Sequence, residues 1–444
     1  MIEISGKRIL VLGGAGKSGA AAAELYLKLG ATVILSDSDA EKKLPFLGSA
    51  GLIDVRPTDG PELLAENPDF LVTAPGVPLS LPVFALARAK GIPIFGENDL
   101  AAELIRKHWK DPPWICAITG TDGKSTTTAL VEKLGEAAGF SSIACGNFGI
   151  PLSSLVLSPV SEQESLLALE CSSFQLEPAH FLHAHIAFIL NLNQDHLDRY
   201  ASIEEYLSAK LKITNKQTLE DLFMAPGEIL TSNGGAARRI ALESLQSVKS
   251  DGIYFRDKRV CARDEFQLPG LHNISNLECA LAAIDDLARR ANKEVSVERL
   301  AAVIRSFRGL PHRMEIVGNW KGIEFINDSK ATTVQAVCSG LTAFKGKRVA
   351  LLAGGYDKGL SYKPLADFGA SILPFGAAAA KIAADTNTAR TYMDLREAFA
   401  AGLEVCRAGG VVYLGPACAS YDQYNSYEER GEHFRKLCAT LFAG

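Results

Sequence analysis

Short β-branched runs alternate with helix-period segments along most of the 444-residue chain. Glycine-rich turns follow two of the apolar runs, and two polar, proline-marked breaks interrupt the alternation. This pattern predicts an α/β protein of three domains, each a parallel sheet covered on both faces. The first, 1–109, is Rossmann-like; the second, 110–309, is a P-loop mononucleotide-binding domain; the third, 310–444, is again Rossmann-like. The breaks are Arg106-Lys107-His108-Trp109-Lys110-Asp111-Pro112-Pro113, which ends in a helix-stopping proline pair, and Arg308-Gly309-Leu310-Pro311-His312.

A hydrophobic fraction of 47% with 22% charged residues is that of a soluble globular protein. The net charge of −5 argues against a polyanion-binding surface, so no nucleic-acid partner is expected. Nine cysteines are scattered without a CxxC pair, which reads as reduced, buried thiols in a cytoplasmic protein. Charged residues interrupt every apolar run before it reaches the roughly 18 residues a membrane span needs. The chain opens on a strand, Lys7 to Leu12, so no leader peptide is expected, and a monomer is the simplest assembly.

In the first domain that strand runs into Gly14-Ala15-Gly16-Lys17-Ser18-Gly19, a G-x-G-x-x-G turn. A helix to Leu29, a strand from Ala31 to Leu35, and Asp37 follow. Such a turn cradles a diphosphate, and the acid completes the dinucleotide fingerprint. NAD and a nucleotide-sugar diphosphate fit equally well, so an oxidoreductase and a sugar-nucleotide enzyme both stand. Gly14, Ala15, Gly16, Lys17 and Asp37 are the candidate ligands. The loops at Pro75-Gly76 and Gly96-Glu97-Asn98 end apolar runs, where ligands of parallel sheets bind.

The second domain carries the strongest motif, Thr119-Gly120-Thr121-Asp122-Gly123-Lys124-Ser125-Thr126. An apolar run, Trp114 to Ile118, leads in. A helix with Leu130, Leu134, Ala137 and Ala138 on one face and Gly139 past its end leads out. Backbone N–H groups and a positive helix end converge there, Lys124 adds a cation, and Ser125 or Thr126 offers a hydroxyl to Mg²⁺. The loop is a shortened variant, since Ile118 stands where the usual spacing has its first glycine. Two further strands end at Glu170 and at Asn193-Gln194-Asp195-His196, on the side where the loop lies. Glu170 suits a hard cation, and His196 is a weaker candidate. His180, His183 and His185 enter a strand without a supporting Cys or carboxylate set, and packing is their expected role.

The octapeptide, Glu170-Cys171-Ser172-Ser173-Phe174-Gln175-Leu176 and Asp195-His196-Leu197-Asp198-Arg199-Tyr200 together resemble the ATP-dependent Mur ligases, which build the peptide stem of bacterial peptidoglycan. Leu271-His272-Asn273-Ile274-Ser275-Asn276, Pro311-His312-Arg313 and Asn327-Asp328-Ser329-Lys330-Ala331-Thr332 extend the likeness. Gly415-Pro416-Ala417-Cys418-Ala419-Ser420, with Asp422-Gln423-Tyr424 and Arg430-Gly431, is similar to the D-glutamate-adding branch. The resemblance spans essentially the whole chain, though its central motifs are shared with folylpolyglutamate synthases.

The resemblance implies ATP, two Mg²⁺ ions and an acyl-phosphate route joining D-glutamate to UDP-N-acetylmuramoyl-L-alanine. Gly14, Ala15, Gly16, Lys17, Asp37, Pro75 and Gly76 would hold the UDP part, which decides against NAD, with Asn147 and His196 added from the second domain. ATP would meet Gly120, Thr121, Asp122, Gly123, Lys124, Ser125, Thr126, Thr127 and Asn276, then Arg313 and Asp328 of the third domain. Lys124, Glu170, His196 and Lys210 would be catalytic. Ser125, Thr126, Glu170, His196 and Lys210 would hold metal, Lys210 as a CO₂-derived carbamate, because an ammonium has no lone pair. A helix opened by Ser202, with Glu205 closing a capping box, would carry Lys210. Thr332, Lys358, Ser420 and Tyr427 would bind D-glutamate. Two departures stand out: Asp122 replaces the usual Asn, placing a negative charge beside phosphates, and Tyr356-Asp357 replaces an Asp-Gly seen in some relatives.

Overall fold

A computed structural model describes residues 2–37, 50–56, 58–157, 165–193, 199–231, 235–268, 270–357, 359, 361–406 and 409–442, without the side chains of 53 and 54. The sequence expectations for His196 and Lys358 lie outside the described residues. Three sheets of five or six strands are distributed over two compact units, Met1–Ser306 and Phe307–Gly444.

The first unit holds two parallel sheets. Strands β1 (Arg8–Leu12), β2 (Thr32–Ser36), β3 (Leu52–Arg56), β4 (Phe70–Thr73) and β5 (Ile94–Gly96) pair in the order β3-β2-β1-β4-β5. Strands β6 (Trp114–Thr119), β7 (Ser141–Gly146), β8 (Ser165–Glu170), β9 (Ile186–Ile189), β10 (Leu222–Ala225) and β11 (Arg238–Ala241) pair as β11-β10-β9-β6-β8-β7. Strands β1, β4, β8, β9 and β10 are buried along almost their whole length because both faces are covered, whereas the edge strand β11 exposes Arg238 and Arg239. In β1, Ile9 and Val11 enter the same core as Val33 and Leu35, while Leu10 and Leu12 pack with Ile34 and Leu71 on the other face. The Ile9–Val11 core continues without a break into Ile115, Ala117, Leu167 and Ala187 of the second sheet. That shared apolar volume makes one compact unit of two sheets.

Each glycine-rich turn follows the strand at which its sheet's winding reverses: β1 lies between β2 and β4, β6 between β8 and β9. Crevices form at such switch points. The helix Lys124–Ala137 starts after Gly123, whose φ of +81° is left-handed, and buries Leu130, Val131 and Leu134. Gly139, with φ +87°, lies just past its end. An antiparallel hairpin, β12 (Ile253–Phe255) and β13 (Lys258–Cys261), precedes the helix Leu271–Arg290, which packs on Lys124–Ala137.

The second unit contains β14 (Glu315–Trp320), β15 (Ile323–Asn327), β16 (Val349–Gly354), β17 (Ser371–Phe375) and β18 (Val411–Leu414), in the order β14-β15-β18-β16-β17. β14 and β15 are antiparallel; the other pairs are parallel. No described helix is long and apolar enough to cross a membrane.

Two expectations change. The strand expected over Ile186 to Leu192 stops at Ile189, because Asn191 and Asn193 turn their side chains to the phosphate-type loop. Glu97 and Asn98 are not ligand loops: they begin the helix Glu97–His108 and are only 2% exposed.

Candidate active site

The loop after β6 is held by groups far away in sequence. The Oδ1 of Asn191 accepts from the N–H groups of Thr121 at 3.0 Å and Asp122 at 2.8 Å, and its amide donates to Asp122 O. Asn193 Nδ2 donates to Asp122 Oδ2 at 2.9 Å, so the unusual acid of this loop is bonded to an amide. Lys124 curls back on its own loop, donating to Gly120 O at 3.0 Å and Thr121 O at 2.8 Å. Such a geometry stores the cation beside the loop.

Glu170, at the end of β8, is 1% exposed. Its Oε2 accepts from Ser125 Oγ at 2.6 Å and its Oε1 from Asn147 Nδ2 at 2.6 Å. A carboxylate, a hydroxyl and an amide thus meet at the start of the helix Lys124–Ala137. Thr126 follows in that helix, half-buried. Thr127 Oγ1 donates to Asn276 Oδ1 at 3.2 Å, and a Cβ on Gly123 would stand 2.5 Å from that same oxygen. Glycine is therefore required at 123 both for its φ and for the approach of Asn276.

Lys210 reaches the same loop from the helix Ile203–Leu211. It is 1% exposed, its Nζ donates to Gly120 O at 2.9 Å, and it lies 4.3 Å from the centre of the Tyr206 ring. Ser202 caps the helix by accepting from Glu205 N–H. The expected reciprocal bond is displaced by one residue: Glu205 Oε2 accepts from Ala201 N–H at 2.8 Å.

In the first turn, Asp37 Oδ2 accepts from Ala15 N–H at 2.8 Å. The acid of the fingerprint closes the turn from within. Gly14 is buried against Leu35, and Gly16 immediately precedes the helix Lys17–Lys28. Lys17 Nζ donates to Gly149 O at 2.7 Å, just beyond Asn147. Arg199 donates to Pro75 O and Val77 O and pairs with Glu177 at 2.9 Å, while Gly76 faces open space. Arg199 and Lys17 therefore bring the two sheets' loops together. Sequence reasoning assigned no role to Arg199, which shows in the sequence only as part of a motif.

The histidine group is structural. His183 Nε2 lies 2.7 Å from Asp221 Oδ2, supplying a carboxylate partner that the sequence did not reveal. His185 Nδ1 accepts from Ile115 N–H, and burial pushes its pKa down to about 4. His180 packs edge-on to Phe95.

Among the described candidate residues of the second unit, Asp328 and Thr332 follow β15, Ser420 follows β18, Tyr427 begins the last helix and Arg313 precedes β14. Asp328 is buried, accepting from Met314 N–H at 3.1 Å and Tyr413 Oη at 2.8 Å, and burial raises its pKa to about 6. Arg313 and Thr332 are half-buried; Ser420 is buried. Lys330 Nζ lies 3.9 Å from the Tyr427 ring centre. The unforeseen organiser is Arg430, which is fully buried. It donates to Ser329 Oγ and O, Gly354 O, Cys418 O and Ala419 O, tying together the chain segments at the ends of β15, β16 and β18. A faint signal existed, because a cation in the first turn of the helix Tyr427–Phe442 opposes the helix dipole unless something else fixes it there.

Residues 118–284 match the model of the Mur ligase middle domain. The chain is 35% identical over 472 residues to a UDP-N-acetylmuramoylalanine--D-glutamate ligase of Desulfitobacterium hafniense, covering 98% of each. It is 36% identical over 457 residues to the ligase of that name from Solibacter usitatus, again covering 98% of each. Among solved structures, UDP-N-acetylmuramate-alanine ligase MurC from Thermotoga maritima superposes with a TM-score of 0.55 at 19% identity, covering 98% of this chain and 99% of that one. MurF ligase from Thermotoga maritima in complex with ADP gives 0.54 at 16% identity, covering 100% and 99%. The structural matches establish a common fold.

Proposed function

The chain belongs to the Mur ligase family, and on that premise we infer that it is the ATP-dependent ligase that adds D-glutamate to UDP-N-acetylmuramoyl-L-alanine in peptidoglycan synthesis. One observation carries the reading: about a third of residues are identical, along nearly the full length, to ligases of that specificity. The placement of Lys124, Ser125, Glu170 and Lys210 around one loop supports the chemistry.

A carboxylate resists attack by an amine because its charge is delocalised and its leaving group would be oxide. Transfer of the ATP γ-phosphoryl group to the alanyl carboxylate gives an acyl phosphate, whose leaving group is phosphate. The D-glutamate amine then adds to the carbonyl, and collapse of the tetrahedral adduct releases phosphate. For such a reaction the protein supplies positioning and charge. Lys124 would swing from its loop carbonyls onto the β- and γ-phosphates. Asn191 holds the loop open for them, and Asn147 fixes Glu170 in one orientation.

The donor set fits a hard cation: a buried carboxylate in contact with a hydroxyl, all oxygen. Ser125, Thr126 and Glu170 would hold one Mg²⁺ and His196 with Lys210 a second, and the ions would supply positive charge that offsets the negative charge of the reacting groups. Lys210 fits carbamylation as well, since a carbamate keeps one N–H for Gly120 O and gains anionic oxygens. Labelled CO₂ should give a carbamate signal by NMR that is absent from Lys210→Ala; spectra without such a difference remove the carbamate.

Gly14, Ala15, Gly16, Lys17, Asp37, Pro75, Gly76, Asn147 and His196 are proposed for the UDP-sugar, Gly120 through Thr127, Asn276, Arg313 and Asp328 for ATP, and Thr332, Lys358, Ser420 and Tyr427 for D-glutamate. The corresponding division of labour is 1–109, 110–309 and 310–444. A monomer working in the cytoplasm, where ATP is available and its nine unbridged thiols stay reduced, suits this reading. The oxidoreductase alternative is disfavoured by the near-full-length likeness to ligases. The deciding assay is phosphate release from ATP requiring both the UDP-sugar and D-glutamate. Equal release with L-alanine, L-lysine or diaminopimelate in place of D-glutamate, or with folate in place of the UDP-sugar, would overturn the specificity.

A further inference from the structure

Arg199 lies in the chain between β9 and the helix Ile203–Leu211, yet its guanidinium serves the loop that follows β4 in the other sheet. Its Nη1 donates to Pro75 O at 3.1 Å, and its Nη2 donates to Val77 O at 3.3 Å and Glu177 Oε2 at 2.9 Å. The guanidinium lies 4.0 Å from the centre of the Phe174 ring, and Tyr200 Oη donates to Glu177 Oε1 at 2.6 Å, so the fork is itself held in place. The same loop packs directly on the first glycine-rich turn. A Cβ at Gly13 would stand 2.7 Å from Val77 Cγ2 and 2.9 Å from Ala74 Cβ. The Pro75–Gly76 peptide is trans, and a trans peptide points its C=O and N–H in opposite directions. With Pro75 O turned to Arg199, the Gly76 N–H therefore points away from it. Gly76 is exposed, its N–H meets no acceptor among the described residues, and a Cβ there would meet open space. The neighbouring Val77 N–H, by contrast, is already spent on Ala74 O at 3.1 Å.

We propose that Arg199 is a positioning residue for the nucleotide-sugar: by holding the carbonyls of the two residues that flank Gly76, it fixes the Gly76 N–H as a donor to that ligand, beside the first glycine-rich turn. The proposal rests on the reading that this turn and the Pro75–Gly76 segment take the UDP-sugar. A backbone donor on a loop serves a polyanionic ligand well only if its direction is set beforehand, because otherwise binding must supply the ordering. Arginine suits the task, since its planar fork can meet two carbonyls and a carboxylate at once, and an ammonium has no such fork.

The test uses the purified full chain with Arg199→Ala, Arg199→Lys, Gly76→Pro, and Gly76→Pro combined with each Arg199 change. Binding of the UDP-sugar is measured by calorimetry, and phosphate release gives the KM values for ATP and D-glutamate. Arg199→Ala and Gly76→Pro, which deletes the N–H, should each weaken the UDP-sugar about tenfold, the scale of one hydrogen bond to a charged group, with the other two KM values within about twofold. Arg199→Lys should weaken it about threefold, since an ammonium keeps the pairing with Glu177 and loses the two-carbonyl fork. A double variant should bind no worse than the weaker-binding single one, because both changes act on one donor. UDP-sugar affinity within about twofold of the parent in the Arg199 variants, a parallel weakening of all three substrates, or additive losses in a double variant would overturn the proposal. Should Arg199→Ala not fold, the Arg199→Lys and Gly76→Pro proteins and their double variant decide by the same limits. An unmodified chain that binds no UDP-sugar overturns the reading of the site and the proposal with it, whereas binding that the variants retain in full overturns the proposal alone.

Discussion

The two glycine-rich turns of the first unit are written almost alike, strand, glycines, lysine, helix, yet they carry opposite arrangements of charge. In the turn after β1 the acid bonds the backbone: Asp37 accepts from Ala15 N–H, and Lys17 leaves the turn for Gly149 O. In the turn after β6 the loop's own acid, Asp122, bonds the Asn193 amide and the strand-end acid Glu170 bonds Ser125 Oγ, while Lys124 folds onto the loop itself and Lys210 reaches in from a separate helix. A turn closed by its own anion is suited to holding a ligand in place. A turn ringed by two cations and an off-axis carboxylate is suited to moving charge. What separates them is the direction from which distant side chains arrive.

The sharpest way to break this contrast is to exchange its lysines for alanine. Lys124→Ala or Lys210→Ala should lower kcat by roughly 10³ or more, because phosphoryl transfer depends on charge neutralisation, with the circular dichroism spectrum retained. Lys17→Ala should leave kcat nearly unchanged and raise only the KM for the UDP-sugar. Equal effects from Lys17 and Lys124 would erase the distinction. Next come the acids. Glu170→Gln keeps the acceptor for Ser125 and should cost about 10²-fold in kcat with a higher Mg²⁺ requirement, whereas Asp37→Asn should weaken the UDP-sugar about tenfold at constant kcat.

Stability separates the glycines within one turn. A Cβ at Gly19 would lie 2.2 Å from Gly13 O and 2.7 Å from Gly14 Cα, while at Gly16 its nearest neighbour is 3.5 Å away. Gly19→Ala should therefore lose about 2–4 kcal/mol in urea unfolding, as overpacking of backbone against backbone does, and Gly16→Ala under about 1 kcal/mol. A tolerated Gly19→Ala would mean that the turn relaxes freely.

A pH-dependent effect concerns the joint between the two sheets. Glu97 is buried, its Oε1 accepting from Ser153 N–H at 2.8 Å, and burial raises its pKa to about 7. Because the folded value exceeds the unfolded one, its stabilising contribution is complete below about pH 4.5 and lost as pH rises through about 7. Glu97→Gln should abolish that loss, so the variant gains on the parent by on the order of 2–3 kcal/mol between those limits. Parallel stability curves for the two proteins would show that Glu97 does not titrate there.

Much of the scaffold was legible because buried parallel strands read as unbroken apolar runs, as β1, β6 and β8 do. The loop Gly120–Lys124 was legible because its requirements are local: a left-handed φ at Gly123, a helix after it, and a strand before it. Ser125 and Glu170 could be named as neighbours from topology, since strand ends on one side of a sheet converge. The partners of Arg430 and the Asn191–Asp122 pairing could not be foreseen. They span 101 residues to Ser329 and 69 to the loop, and no periodicity links such positions.

The order of residues alone thus determined the α/β alternation, the two nucleotide-type turns and the chemical groups gathered near them, because backbone conformation and apolar periodicity are properties of neighbours in the chain. Tertiary structure decided which acid bonds backbone and which bonds a hydroxyl, that Glu97 is core rather than ligand, and that Arg430 ties three loops. Those outcomes depend on burial and on distances of about three ångströms between segments far apart in the chain, where hydrogen-bond geometry is selective. They arise only when the sheets have packed.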